Sequence, residues 1–561
     1  MIHVSPIVAQ QQNDRTSLLP DIDPQDIEIR GDFEASFPGL SRQPVLGFDP
    51  RPGIFRVDPD RMPFLESDDE IVAAIPISDL EPALKPEQRF IQFANRRVVF
   101  SRVGYGAYNT PELTFIAETP LRQSESVLLD LSHHSSTGDR DFSSYRDLAG
   151  ELQWTKQSGA NRWGAGMKGS SSNNYSPYLV SDSLLLPPTI TDSDPQRISH
   201  HSLGAEVRWQ NLKNAYRGWQ SALSLDRFSI RAGMPVDEVL QSDETKYRVH
   251  INRFWEGRLM EQVFGVRVEA SGAFYDTAEN TNQYWLTNSF GARYHQRFGT
   301  SHTVEAWLRL YQLYDPVNEF DLYLYPDIRY QFYRPERVSA AIWIRGFVND
   351  PSLAKLQSRN RFFIQSDTDL EHERGLNINL HSDLKLIGNL KVYTGLDYWQ
   401  YYNNGFFMRY EEITNPYYRY SYVEEATQVE WYSGFSQSLP VIETLIAVEL
   451  GLNYSSVNED IVPSGEIPYV PRWRGSTHVI SSPISWLDIS IWLDLIGQRK
   501  TYLEEVDIDG FVQLGAQTDI RLHNRFGAFV KVLNILNKEY EVWQDYKERP
   551  FQLSGGITLH W

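Results

Sequence analysis

FQLSGGITLHW, residues 551–561, closes the chain, and its reading decides the fold. A β-strand presents one face at every second position. Phe551, Leu553, Gly555, Ile557, Leu559 and Trp561 therefore share an apolar face, and Gln552, Ser554, Gly556, Thr558 and His560 share a polar one. The same alternation recurs upstream. Val512, Leu514, Ala516, Thr518, Ile520 and Leu522 alternate with Gln513, Gly515, Gln517, Asp519 and Arg521. Leu487 to Leu495 and Leu376 to Leu386 repeat it. A long series of segments of about ten residues, apolar on one face and polar on the other, is the signature of a transmembrane β-barrel.

Composition agrees. The 561 residues carry 53 Lys+Arg against 73 Asp+Glu, a net charge of -20, which argues against a nucleic-acid partner. Cysteine is absent, which removes disulfides, thiolate metal sites and a Cys nucleophile. Mean hydropathy is -0.44, and no run of 18 apolar residues exists, so no helix is expected to cross a membrane. A barrel strand hides a polar lumen face behind its lipid face and lowers the mean without leaving the bilayer. The abundant aromatics, 15 Trp, 31 Tyr and 28 Phe, suit the girdles of such a barrel.

Connection lengths supply a second test. With the last strand running toward the periplasm, the junctions at His523-Asn524, Ser482-Pro483, Leu439-Pro440, Gly388-Asn389, Arg334-Pro335, Gly299-Thr300 and Gly257-Arg258 all fall on the periplasmic side and are short. The other side receives 170–199, 231–244, 351–374, 403–423 and 457–471, long and polar. Strand starts are expected near 96, 112, 126, 145, 160, 200, 217, 245, 262, 283, 302, 322, 338, 375, 390, 424, 443, 472, 486, 511, 526 and 551. That makes an all-β antiparallel transmembrane barrel of about 22 strands, an even number that leaves both termini periplasmic. The stretch NRFFIQ within 351–374 is the one place where a further strand would fit. Residues 1–12 read as the remnant of a secretory signal, 13–95 as a periplasmic or luminal segment and 96–561 as the barrel.

The stretch FGAFVKVLNILNKEYEVWQDYKERPFQLSGGITLHW resembles the last two strands of TonB-dependent receptors of the Gram-negative outer membrane. Asn534, Leu536, Asn537 and Tyr540 match an Asn-Leu-Phe-Asn-x-x-Tyr-like segment, with Ile535 between the first two, and Trp561 stands where Phe is commoner. IPYVPRWRGSTHVISSPI and IDGFVQLGAQTDI also resemble the family. The resemblance implies solute uptake across the outer membrane, bilayer lipid as surroundings, no cofactor, and recognition of Trp561 by the barrel-insertion machinery. The family also carries a plug of well over a hundred residues and a TonB box. Residues 1–95 are rich in Pro and Asp, are shorter than a plug and show no such box, although IDPQDIEI faintly resembles a plug segment. That departure leaves open a partner chain that supplies the plug. It also leaves open an alternative, a non-transporting barrel that scaffolds surface lipoproteins or an export or assembly machine.

Candidate sites are few. Phe406, Phe407, Tyr410, Tyr417, Tyr418, Tyr420 and Tyr422 crowd one external loop and could stack on ring-bearing ligands, or serve the outer girdle and loop packing. His133-His134 and His200-His201 could hold a metal only if they converged, and two strands separate them. The acidic runs ESDDE (66–70) and EEVDID (504–509) match no cation-binding pattern and read as solvated acid. No catalytic motif occurs, so an enzyme is not expected.

Overall fold

In the computed structural model, residues 98–561 are described apart from 123, 140–142, 176–196, 215–216, 234–238, 258–261, 335–336, 366–368, 387–388, 410–416, 504–505 and 545. The expectations for residues 1–12 and 13–95, and for ESDDE, lie outside the described residues. The barrel begins with β1 (Val98–Gly106), β2 (Thr110–Arg122), β3 (Glu125–Ser136), β4 (Tyr145–Ser158) and β5 (Asn161–Tyr175). Next come β6 (Arg197–Asn214), β7 (Arg217–Gly233), β8 (Val239–Glu256), β9 (Gln262–Asp276), β10 (Gln283–Phe298) and β11 (His302–Tyr314). They are followed by β12 (Asp321–Arg334), β13 (Val338–Asn349), β14 (Glu373–Lys385), β15 (Leu390–Arg409) and β16 (Ala426–Leu439). The last are β17 (Thr444–Val457), β18 (Trp473–Ile484), β19 (Leu487–Ile496), β20 (Phe511–His523), β21 (Phe526–Leu533) and β22 (Gln552–His560).

Each strand pairs antiparallel with the next, and β22 returns to β1, with Phe100 opposite His560 and Gly106 opposite Ser554. Trp561 ends this seam, exchanging backbone hydrogen bonds of 2.6 and 2.8 Å with Val99. The sheet is thus a closed 22-strand antiparallel barrel with no free edge, the condition for a sheet to sit in lipid.

The outer face is apolar as alternation requires. Leu553 and Ile557 point outward and are exposed, whereas Thr558, next after Ile557, is buried on the inner side. Two rows of stacked rings bound the outer band. Trp255, Phe264 and Tyr294 pack side by side near the end that carries Trp561, and Phe274, Tyr284 and Tyr314 do so near the other. Ten residues separate Phe264 from Phe274 along β9 (274 − 264 = 10). At ~3.3 Å per residue and a tilt of ~40°, that is a band about 25 Å tall, the height of the hydrocarbon core that such barrels present.

Short turns gather at the Trp561 end, where Gly159 and Gly299 adopt positive φ of 58° and 60° that a side chain would strain. The long connections lie at the other end, hereafter the mouth. The strand starts expected from sequence fall within a few residues of the observed ones, the widest gap being 245 against Val239. There the strand continues above the band, where Ser242 and Glu244 are polar residues buried beneath the mouth's loops, and the hydropathy alternation that marks it fades. NRFFIQ is not a barrel strand. It follows a short helix, α1 (Leu353–Arg359), and Phe363 makes a single bridge to Tyr418.

Inside the barrel, glycines sit under aromatic rings. Gly395 lies opposite Tyr432 and Gly434 opposite Tyr393, so each tyrosine of this reciprocal pair covers the glycine across from it. Gly515 under Trp492 repeats the device. A Cβ at Gly434 would approach Tyr393 Cζ to 2.5 Å, so the glycines are a steric requirement.

Candidate functional site

The mouth is roofed by its own loops. Beyond Tyr401, β15 leaves the wall, and Asn404–Arg409 pairs with a spur strand, Tyr418–Val423, as a hairpin. Residues 350–365 and 369–372 lie beside it and are tied to the wall at several points. Asp350 accepts hydrogen bonds from Thr287 Oγ1 at 2.9 Å and Ser271 Oγ at 3.0 Å. Lys246 and Arg248 face the same carboxylate at 3.5 and 3.7 Å. Burial opposes ionisation of Asp350, but these two cations outweigh it and hold the carboxyl far below its usual range. Glu244 accepts from Ser352 Oγ at 2.8 Å and from the Ala354 amide at 3.1 Å, which fastens the start of α1. Gln357 meets His200 at 2.9 Å, and Arg361 meets Glu548 at 2.9 Å.

The end of this segment is fastened by acids and amides. His372 Nδ1 lies 2.8 Å from Asp315, and its Nε2 lies 2.8 Å from Thr287 Oγ1. Asn318 and Asn403 each donate to Glu371, at 3.4 and 3.1 Å. Burial and the neighbouring Asp315 raise the Glu371 carboxyl. Lys355 on α1 is lowered to about 7 by burial and by Arg359.

The hairpin supplies the apolar part of the roof. Phe406, Phe407, Tyr417, Tyr418 and Tyr420 are each no more than 1 % exposed. Phe407 and Tyr418 pack edge-on against Trp543, and Phe406 stacks on Tyr502 at 6.1 Å. Tyr420 donates to Glu373, and Tyr422 packs edge-on against Tyr420. Burial raises the hydroxyls of Tyr417, Tyr418, Tyr420 and Tyr422 well above the usual phenol range. Of the aromatics singled out in sequence, Phe407, Tyr418, Tyr420 and Tyr422 meet in one cluster around Trp543, Phe406 turns to Tyr502, Tyr417 donates to the Gly233 carbonyl, and Tyr410 lies outside the described residues. Tyr422 is half-buried, and the other five present almost no surface to solvent in this closed arrangement.

The histidine pairs are split by the strand period. His134 packs on Tyr145 at 3.1 Å while His133 bonds Ser135, and His200 meets Gln357. No metal-holding group of His, Asp and Glu occurs among the described residues. In EEVDID, Asp507 pairs with Lys500 at 2.9 Å, and residues 504–505 lie outside the described set. Sequence reasoning missed the polar anchors Asp315, Asp350 and His372, which stand in unremarkable loop sequence.

No family model matches the chain, and no curated protein matches it. Solved structures do. The FrpB iron transporter of Neisseria meningitidis superposes with a TM-score of 0.67 at 8% identity, covering 85% of this chain and 84% of that one. It shares the fold of outer-membrane receptors. The ferric yersiniabactin uptake receptor FyuA of Yersinia pestis gives 0.65 at 9% identity, over 84% of this chain and 81% of that chain. The ferric enterobactin receptor PfeA of Pseudomonas aeruginosa gives 0.63 at 11% identity, over 83% and 80%. These neighbours are transport receptors rather than enzymes.

Proposed function

We propose that the chain is an outer-membrane uptake barrel of the TonB-dependent receptor type, with its mouth outside and its short turns in the periplasm. The observation that carries this reading is the combination of a closed 22-strand wall with a mouth roofed by inward-tied loops. A scaffold barrel needs the wall but has no use for a fastened roof. The names of its structural neighbours, iron and siderophore receptors, favour an iron chelate as solute. Phe406, Phe407, Tyr417, Tyr418, Tyr420 and Tyr422 would meet such a solute once the roof lifts.

The absence of cysteine makes the topology simple to test. Exposed Ser358 in the roof and exposed Asn524 in a short turn are replaced singly by Cys, and intact cells are treated with a membrane-impermeant maleimide. Labelling of the first and protection of the second is expected. Uptake is then followed with a panel of radiolabelled ferric siderophores in cells with and without the chain. Unchanged uptake of every chelate, with a lipoprotein co-purifying from solubilised membranes, would favour the scaffold reading.

A further inference from the structure

The inner wall of β8–β13 carries arginines from successive strands at one level. Hydrogen-bond register places Arg267 opposite Gly291, Gly291 opposite Arg309 and Arg309 opposite Tyr325. The adjacent row sets Arg293 opposite Trp307, Trp307 opposite Asp327 and Asp327 opposite Arg345. Gly291 leaves its place on the wall vacant, and the Trp307 ring fills it, 3.2 Å from where a Cβ would stand. Three guanidiniums surround that ring, with Arg267, Arg293 and Arg309 at 4.7, 5.6 and 5.5 Å from its centroid. Arg329 and Arg345 flank Trp343 in the same manner.

The carboxylates of this patch are already engaged. Glu305 takes Arg293 at 2.9 Å and the Trp307 indole N–H at 2.9 Å. Asp327 uses one oxygen for Arg309 at 2.6 Å and the other for Trp343 at 2.5 Å. Glu269 faces Arg248 at 3.9 Å. Against these three acids, with Asp350 beside Arg248 and Asp397 beside Arg345, stand Arg248, Arg267, Arg293, Arg309, Arg329 and Arg345. Arg267 has no ion pair or hydrogen bond among the described residues, and its Nε is a buried donor left unused. A guanidinium held in place by an aromatic face, with its N–H fork free, is prepared for a bidentate oxyanion.

We propose that this patch binds a solute bearing more than one oxyanion group, carboxylate or phosphate, on its way from the mouth. The site is separate from the roof, since Arg267 lies between the girdle residues Phe264 and Phe274 and nearer Phe264, on the short-turn side. Arg267 supplies the free N–H groups, Arg293, Arg309 and Arg329, the last held by the Gln331 amide oxygen, add charge, and the buried Trp307 ring props the guanidiniums around it. The proposal rests on the uptake reading and names its substrate class.

The test uses the purified full-length protein in detergent at low ionic strength, titrated calorimetrically with citrate, with inorganic pyrophosphate and with neutral glycerol. Citrate, pyrophosphate or both should bind, the pair reporting whether carboxylate or phosphate is preferred, and glycerol should not. Arg267→Gln leaves no acid unpaired and should weaken binding about tenfold or more, the worth of hydrogen bonds to a charged group. Arg267→Lys should keep more affinity than Arg267→Gln, and Lys538→Gln on an external loop should change nothing. If Arg267→Gln does not fold, Arg329→Gln stands in its place. Failure of wild type to bind either anion, or equal losses in Arg267→Gln and Lys538→Gln, overturns the proposal. Membrane fractionation separates the two readings: a chain that stays in the outer membrane yet binds no anion refutes this site alone.

Discussion

Replacing Phe290 by Arg should damage the barrel far more than replacing its neighbour Ser289. Phe290 lies on β10 between the girdle residues Tyr284 and Tyr294 and is 51% exposed on the outer face. An Arg there enters the hydrocarbon near its midplane, at a cost of about 2–4 kcal/mol. That is roughly a 30- to 900-fold fall in the ratio of folded to unfolded chain. Ser289 faces the lumen, directly opposite Glu269 and Tyr311, so an Arg there finds water and a carboxylate. Its cost should stay under about 1 kcal/mol. Both variants would be refolded from urea into phospholipid vesicles, with the folded fraction read from heat-modifiable gel migration across a urea series. Equal losses, or a larger loss for Ser289→Arg, would mean that the inner and outer faces are exchanged and the register is wrong.

Gly395→Ala should lower barrel stability by about 1–3 kcal/mol in the same assay, because the new methyl collides with Tyr432, whose ring covers that glycine. Asp350→Ala strips Lys246 and Arg248 of their shared carboxylate and should free residues 350–372 at a cost of about 3–5 kcal/mol, seen as protease cleavage near exposed Ser358 with the wall intact. Because folding holds the Asp350 carboxyl below its ordinary range, this anchor contributes at every pH above that range and is lost only as pH falls through the lower native value, so cleavage should not rise on mild acidification. Lys355 behaves oppositely: its folded value of about 7 lies below the unfolded 10.5, so the unfolded segment binds more protons in that window and α1 should gain protection from exchange as pH rises from 7 toward 10.

How legible each part was depends on how local its signal is. Strand β22 announced itself because lipid on one side and lumen on the other impose a period of two over residues adjacent in sequence. Where β8 rises above the bilayer, residues 239–244 keep their ladder but lose that contrast, so in sequence they read as part of the external loop 231–244. The roof was harder. The polar stretch 350–372 reads as an ordinary external loop, yet Ser352 reaches Glu244 across 108 residues and Asp350 reaches Thr287 across 63. Nothing near either end of those contacts signals the other. The aromatic hairpin was found by density alone, and density could not say that its rings would turn inward onto Trp543. The arginine patch had no local trace, for Arg267, Arg293 and Arg309 sit one to a strand and only the register brings them level.

The seam between β1 and β22 has a consequence for the order of events in assembly. Across it Arg102 reaches Gln517, 415 positions along the chain. Closing a loop of that length costs ~5 kcal/mol of chain entropy before any local gain, by the logarithmic dependence on loop size. Every other wall pairing joins neighbours in sequence and can zip from a hairpin. The seam alone cannot form until the final residues, Trp561 included, have emerged. Up to that moment β1 and β22 are two bare edges with unpaired backbone groups, open to any strand that arrives first. A chain shortened by only its last strand would keep its other neighbouring pairings and still be left with edges it cannot close. The terminal strand thus acts as the clasp of the whole molecule, and the time to fasten it, rather than the time to form any hairpin, should set the pace at which a watertight wall appears.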